Sequence, residues 1–299
     1  MTRKIYSFEI MKIPNNTIRS AANYFTSELS NLYDKSELQQ LLHLTFLHYF
    51  GFTKLDFMTN DKKLLSESDL LKIIYAVKGL KKNKPLAYIL GEWEFYGISL
   101  KVNEHTLIPR PETEELIQLI INENKHQKSI KILDIGTGSG CIALALKKHL
   151  PQATVTAWDI SEEALKIAKE NAIKNSLAIS FHQIDILSDK HTNSSEKFDV
   201  IVSNPPYITH AEKSLMQENV LNYEPHLALF VEDNNPFLFY ETISDFALQH
   251  LSAKGKLYFE LNEKYGKEVK HLLSSKEFNE VEIVQDINGK ERIIKCSIK

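Results

Sequence analysis

Residues 281–298 read VEIVQDINGKERIIKCSI, two β-forming runs on either side of Asn288-Gly289. Asn-Gly between such runs is a strong antiparallel hairpin signal, because glycine readily takes the left-handed backbone of a tight turn. What precedes it alternates differently. IKILDIG (130–136), TVTAWDI (154–160), ISFHQID (179–185), FDVIVSN (198–204) and KLYFELN (256–262) have strand composition. Between them CIALALKKHL (141–150), SEEALKIAKENAIKN (161–175) and FLFYETISDFALQHL (237–251) carry apolar residues at helical period. This alternation predicts βαβ units and a parallel sheet covered on both faces. The expected fold is therefore α/β, a doubly wound, mostly parallel, seven-stranded sheet ending in an antiparallel hairpin. That ending is unusual for dinucleotide-binding dehydrogenases.

The first part of the chain reads otherwise. TIRSAANYFTSELS, KSELQQLLHLTFLHYF and SESDLLKIIYAVKGL space apolar residues three and four apart. Ser36 with Gln39 and Ser66 with Asp69 are candidate helix starts, and Lys78-Gly79 with KKNKP (81–85) a helix stop and boundary. The expected division is a helical domain over 1–84, a β-hairpin linker over 85–107 and an α/β domain over 108–299. In IPRPETEELIQLIINENK, Pro111 suits a first helical position, and Glu112, Glu114 and Glu115 favour the positive helix N-terminus.

With 299 residues, a net charge of −3 and 25% charged residues, the chain has no global basic field to attract nucleic acid or an anionic membrane. Cys141 and Cys296 are the two cysteines, expected as reduced structural thiols of a cytoplasmic protein. MTRKIYSFEI lacks a signal-peptide core, and no apolar run has the length of a membrane span. His43 and His48 lie five apart, a poor spacing for a shared metal, and no Cys/His cluster has zinc spacing; no metal is expected. A monomer is expected.

The chemistry gathers at two strand ends. KILDIGTGSGCIALAL places Gly136, Thr137, Gly138, Ser139 and Gly140 between a strand and a helix, where the backbone can approach a ligand and helix N–H groups lie free. Asp134 precedes this loop, and Asp159 ends the next strand, where a carboxylate can accept both ribose hydroxyls of an adenosine. Asp185 closes the third strand, where an adenine amino group would lie. Each acid has a plainer alternative: Asp134 can bond its own loop, Asp159 can neighbour the cap at Ser161, and Asp185 can simply leave a strand.

FDVIVSNPPYI (198–208) ends its strand at Asn204-Pro205-Pro206-Tyr207. An amide or aromatic amine nitrogen is a poor nucleophile because its lone pair is delocalised. Two acceptors that hold its N–H bonds aim that lone pair, and they strengthen as positive charge develops on nitrogen. Asn204 offers a side-chain carbonyl. Pro205 offers a backbone carbonyl, left unpaired and fixed in direction by Pro206. Tyr207 offers a flat face to a planar group. This pattern suits N-methylation from S-adenosylmethionine and leaves glutamine, adenine and guanine open as acceptors.

LGEWEFYG, LIPRPETEELI, ILDIGTGSGCIALAL, WDIS, FDVIVSNPPYI and NYEPHLALF, spread over about 85–230, together resemble the release factor glutamine methyltransferases (PrmC/HemK). The resemblance implies a class I S-adenosylmethionine methyltransferase fold and methylation of the side-chain N5 of the glutamine in the Gly-Gly-Gln motif of peptide chain release factors. It implies a helical N-terminal domain that docks the release factor. S-adenosylmethionine would lie against Gly136–Gly140 and Asp159, and Asn204–Tyr207 would grip the glutamine. Phe95 would wall the glutamine pocket or pack in the core. Arg110 and Glu112 would hold the loop between the domains and line the pocket, or only start a helix, and Glu224-Pro225-His226 would at most support residues that touch the ligands. The chain departs from the family pattern at FELNEKYG (259–266), which lacks a glycine turn directly after Glu260, and at Ile186, where in many relatives an aromatic or other side chain follows the acid. The competing readings are adenine or guanine N-methylation in nucleic acid, a nicotinamide oxidoreductase and a binding-only relative. The acidic balance opposes the first, and Asn-Pro-Pro-Tyr with the final hairpin opposes the second.

Overall fold

The computed structural model describes residues 13–188 and 196–298, and the chain divides into two compact units. One comprises the described residues up to Gly91 together with Glu218–Tyr223; the other comprises Glu92–Gln217 and Glu224 onward. Most of the polar stretch 188–197 lies outside the described residues.

The first unit is helical: α1 (Ile18–Leu29), α2 (Lys35–Phe50), α3 (Lys54–Thr59), α4 (Glu67–Lys81) and α5 (Leu86–Leu90). Apolar faces converge on a core containing Phe25, Leu29, Phe46, Ile73, Ile74 and Leu80. Ser66 and Asp69 form the expected capping box at α4. At α2 the cap is Asp34, whose carboxylate accepts from the Ser36 and Glu37 N–H groups at 2.8 and 2.9 Å; Ser36 is already helical because the stronger acceptor precedes it. Gly79 does not stop α4 either. A Cβ there would meet Ile89 Cδ1 at 2.7 Å, so this glycine lets α5 pack against the helix. The AYIL of the expected hairpin linker is thus α5 of the helical unit, ending at Gly91 with φ +74°.

The second unit opens with a true hairpin, β1 (Glu92–Phe95) and β2 (Ile98–Lys101), turning at Tyr96-Gly97 with φ of +47° and +69°. Positive φ at both central positions is the turn that matches strand twist. A tyrosine there is strained, and its N–H is held by Glu114 Oε1 at 2.7 Å. Then follow α6 (Pro111–Asn124), β3 (Ile130–Ile135), α7 (Cys141–His149), β4 (Ala153–Asp159), α8 (Glu162–Lys174), β5 (Ser180–Gln183) and β6 (Phe198–Ser203). The short strands β7 (Ile208–Thr209) and β8 (Phe230–Val231) pair with each other, with α9 (Glu218–Tyr223) between them in sequence. The unit ends with α10 (Leu238–His250), β9 (Leu251–Glu260), α11 (Gly266–Ser275), β10 (Asn279–Gln285) and β11 (Glu291–Ser297).

The main sheet has the order β10-β11-β9-β6-β3-β4-β5. β5, β4, β3, β6 and β9 run parallel, and β11 and β10 run antiparallel at one edge. The seven-stranded sheet with its antiparallel ending is the expected architecture. At the final turn Gly289 takes φ +77°, while Asp286 Oδ1 accepts from Asn288 and Lys290 N–H at 2.9 and 3.0 Å. The connections reverse direction on either side of β3, opening a crevice outside the strand ends where α/β sheets bind ligands. Ile135 pairs with Ser203 and Asp159 with Gln183, so the glycine loop, Asp159 and Asn204 leave the sheet at this one edge. Among the described residues, no helix is long and apolar enough to cross a membrane.

Candidate active site

At that edge lies a cavity of about 270 Å³. Its walls come from the segment before α6 (Arg110 and its neighbours), the glycine loop, Asp159–Ser161, Ile184–Leu187, Ser203–Pro206, and Pro225–Ala228 in part. The glycine loop is shaped by φ values of +75°, +56° and +84° at Gly136, Gly138 and Gly140. A Cβ at Gly136 or Gly138 would have nothing within 4 Å, so both present open backbone. At Gly140 a Cβ would lie 2.8 Å from Leu144 Cδ1 and 3.2 Å from Ala168 Cβ. Gly140 is outside the cavity lining and is there for helix packing.

The acids divide by position. Asp159, at the end of β4, lines the cavity. Its Oδ2 accepts from Gly138 N–H at 2.8 Å and its Oδ1 from Ser161 N–H at 2.9 Å, leaving a lone pair on each oxygen. Burial raises its pKa. Asp185 also lines the cavity, with Oδ1 accepting from Leu187 N–H at 2.9 Å, beside Ile186. Asp134 does not line it. It is fully buried beneath the loop, where Oδ2 accepts from Thr137 Oγ1 at 2.6 Å and Ala143 N–H at 3.2 Å. The plainer reading, an acid bonded to its own loop, describes these contacts. Burial pushes its carboxyl up to about 7, and Oδ1 has no partner among the described residues. Burial pushes the thiol of Cys141, at the cavity wall, up to about 12, away from the range of thiolate nucleophiles.

On the opposite wall Ser203 Oγ donates to Ile135 O at 2.7 Å, tying the end of β6 to β3. Asn204, Pro205 and Pro206 line the cavity. Asn204 Nδ2 donates to Thr113 Oγ1 at 3.4 Å, and Thr113 Oγ1 donates to Glu260 Oε2 at 2.6 Å. Tyr207 was expected to face a planar substrate, but it packs against the sheet core and its hydroxyl donates to Glu260 Oε1 at 3.2 Å. Tyr207 is outside the cavity lining. Phe95 is 2% exposed and also outside the lining, which is the core-packing alternative.

Arg110 lines the cavity and donates from Nη2 to Glu224 Oε1 at 2.5 Å. The buried Glu224 also accepts from Ile108 N–H at 3.1 Å, so it pins both ends of IPR. Glu112 makes neither bond; Glu114 and Glu115 instead hold the N–H groups of Tyr96 and Ile287. Sequence reasoning missed Thr113 as a site residue and left Glu260 without a role.

A family model described as Methyltransferase small domain matches residues 113–228, and one described as PrmC N-terminal domain matches residues 20–91. The release factor glutamine methyltransferase of Flavobacterium psychrophilum is 43% identical over 285 residues, covering 94% of this chain and 99% of its own. The chain belongs to the release factor glutamine methyltransferase family. A second member, from Bacteroides thetaiotaomicron, is 41% identical over 91% of this chain and 96% of its own. Among solved structures, the hMettl16 catalytic domain in complex with MAT2A 3'UTR hairpin 6 has a TM-score of 0.51 at 15% identity, covering 79% of this chain and 84% of that one. At that identity it shares the fold alone.

As a release factor glutamine methyltransferase family member the chain is an S-adenosylmethionine-dependent methyltransferase. Its residues fit that group: two open glycines cradle one side of the cavity, and Asp159 and Asp185 offer acceptors on the next. Asp134 Oδ1 is a further buried acceptor below the loop, without a partner among the described residues.

Proposed function

We propose that this chain transfers a methyl group to the side-chain N5 of the glutamine in the Gly-Gly-Gln motif of peptide chain release factors. The observation that carries the reading is Asn204. It stands at the cavity wall with its NH₂ engaged by Thr113, which leaves its carbonyl oxygen as the acceptor available to a substrate amide.

S-adenosylmethionine, when bound, supplies an electrophilic methyl on a sulfonium. Gly136, Gly138, Asp159 and Asp185 would hold its adenosine side, with Asp159 accepting the ribose hydroxyls through its two remaining lone pairs. Thr137 and Ser139 would contribute through the same loop, and Asp134 would steady that loop from below. Asn204 Oδ1 and the Pro205 carbonyl hold the two N–H bonds of the substrate amide and so orient its nitrogen lone pair. As nitrogen gains positive charge, both acceptors bind its protons more strongly, and that difference between ground and transition state is the catalytic contribution; the methylated nitrogen, now strongly acidic, then loses one proton to water. Pro206 keeps the Pro205 carbonyl from swinging. Arg110, braced by Glu224, would offer a cation in the cavity wall to substrate backbone carbonyls. Tyr207 acts from behind by anchoring the loop. The helical unit would dock the release factor, and the methyl transfer itself needs no nucleic acid, metal or membrane.

The relatives' names support glutamine as the acceptor over a nucleic-acid base, and the net charge of −3 agrees. The test offers purified release factor, tRNA, ribosomal RNA and DNA to the protein with methyl-labelled S-adenosylmethionine. Label is expected in the release factor; label entering only nucleic acid would overturn the proposal.

A further inference from the structure

Glu260 closes β9 and is 2% exposed, yet among the described residues no charged side chain bonds directly to it. Its two oxygens take the hydroxyls of Thr113, in the first turn of α6, and of Tyr207, three residues beyond Asn204. Its backbone carbonyl takes the Tyr240 hydroxyl at 3.1 Å. Burying a carboxylate in this way is costly: burial raises its pKa, while the bonds from Thr113 and Tyr207 and the charge of Arg292 act the other way and favour the ionised form. A fold that needed only packing here could use an apolar residue.

The geometry points to Glu260 as a positioning residue that sets the orientation of the Asn204 amide through Thr113. This rests on the role given above to Asn204. A hydroxyl has one hydrogen and two lone pairs. An ionised carboxylate only accepts, so Glu260 claims the Thr113 hydrogen in the 2.6 Å bond. Thr113 can then only accept from Asn204, and it does so from Nδ2 at 3.4 Å. The NH₂ end of Asn204 is thereby drawn to the protein side, and the carbonyl end is left toward the cavity. Were the chain of bonds reversed, Thr113 would donate to the Asn204 carbonyl and the amide would present N–H groups to the substrate's own N–H groups. The acid thus fixes which end of Asn204 serves as acceptor.

Three variants test this. Glu260→Gln keeps the shape but can donate to Thr113 and reverse the relay. Thr113→Val keeps the shape and removes the hydroxyl, whereas Thr113→Ser keeps the hydroxyl and removes the methyl. Both Glu260→Gln and Thr113→Val are expected to lower kcat about tenfold or more, with cofactor Kd and thermal midpoint little changed. Thr113→Ser is expected to retain kcat. An independent reading is hydrogen exchange of the Asn204 side-chain NH₂ by NMR, expected to be slowed in wild type and Thr113→Ser and faster in the other two. Wild-type kcat in Thr113→Val with loss in Thr113→Ser would show a packing role and overturn the inference. So would parallel loss of stability and cofactor affinity in all three. Rates are read on whichever acceptor the wild type methylates, so label found only in nucleic acid would sink the glutamine reading while the variant ratios still judge Glu260.

Discussion

The Gly138 N–H donates to Asp159 Oδ2 at 2.8 Å, so the glycine loop is latched to the carboxylate that ends the neighbouring strand. One side chain therefore shapes the loop and presents lone pairs to the cavity. Asp159→Ala removes both. The expected result is a cofactor Kd weakened about 10- to 100-fold, as befits hydrogen bonds to a charged group. At saturating cofactor kcat should largely persist, which titration calorimetry beside steady-state kinetics would establish.

Asn204 should show the opposite pattern. Its carbonyl is used most when charge develops on the substrate nitrogen, so Asn204→Ala should lower kcat about 100- to 1,000-fold, the range for removing one preorganised transition-state group. Cofactor Kd, measured calorimetrically, should change little. Equal losses in the two quantities would assign Asn204 to cofactor binding or folding.

The glycines of the loop are not equivalent. Gly136→Ala meets open space and should cost only the left-handed backbone penalty, about 1–2 kcal/mol. Gly140→Ala adds a collision with Leu144 and Ala168, and overpacking of this kind costs about 1–3 kcal/mol more. Urea denaturation of the two variants should rank them in that order.

Asp134 links the loop to pH. Its carboxyl rises from 3.8 to about 7 on folding, chiefly through burial. Between those values the folded protein holds a proton that the unfolded chain has released. The resulting contribution to stability is complete below about pH 4, declines as pH rises, and is gone above about pH 7. Relative to Asp134→Asn, which cannot titrate there, wild type should lose up to roughly 4 kcal/mol over this window and then level off. Urea denaturation of both proteins across pH reads the difference directly.

What could be read from the chain was what depends on neighbours in sequence. The Asn288-Gly289 hairpin, the strand–glycine–helix turn and the break at Pro205-Pro206 each carry their geometry locally, and each stands where it was expected. The cap of α2 slipped from Ser36 to Asp34 because two capping residues lie within one turn and the carboxylate is the better acceptor. Gly79 looked like a helix end because its reason for being small, Ile89, is on another helix. The bonds from Thr113 to Glu260 and from Arg110 to Glu224 span 147 and 114 positions, and no periodicity or motif joins residues so far apart. Asp134 and Tyr207 were legible as residues but not in direction. A strand-end acid can face its loop or the cavity, and which it does is settled by the fold around it.

The most direct test of the account is tandem mass spectrometry of the glutamine-bearing release-factor peptide after reaction with wild type and with Asn204→Ala. The account predicts a single methyl on the side-chain amide of the Gly-Gly-Gln glutamine with wild type, and almost none with the variant under the same cofactor saturation. A methyl on a different residue, or equal methylation by the variant, would contradict it.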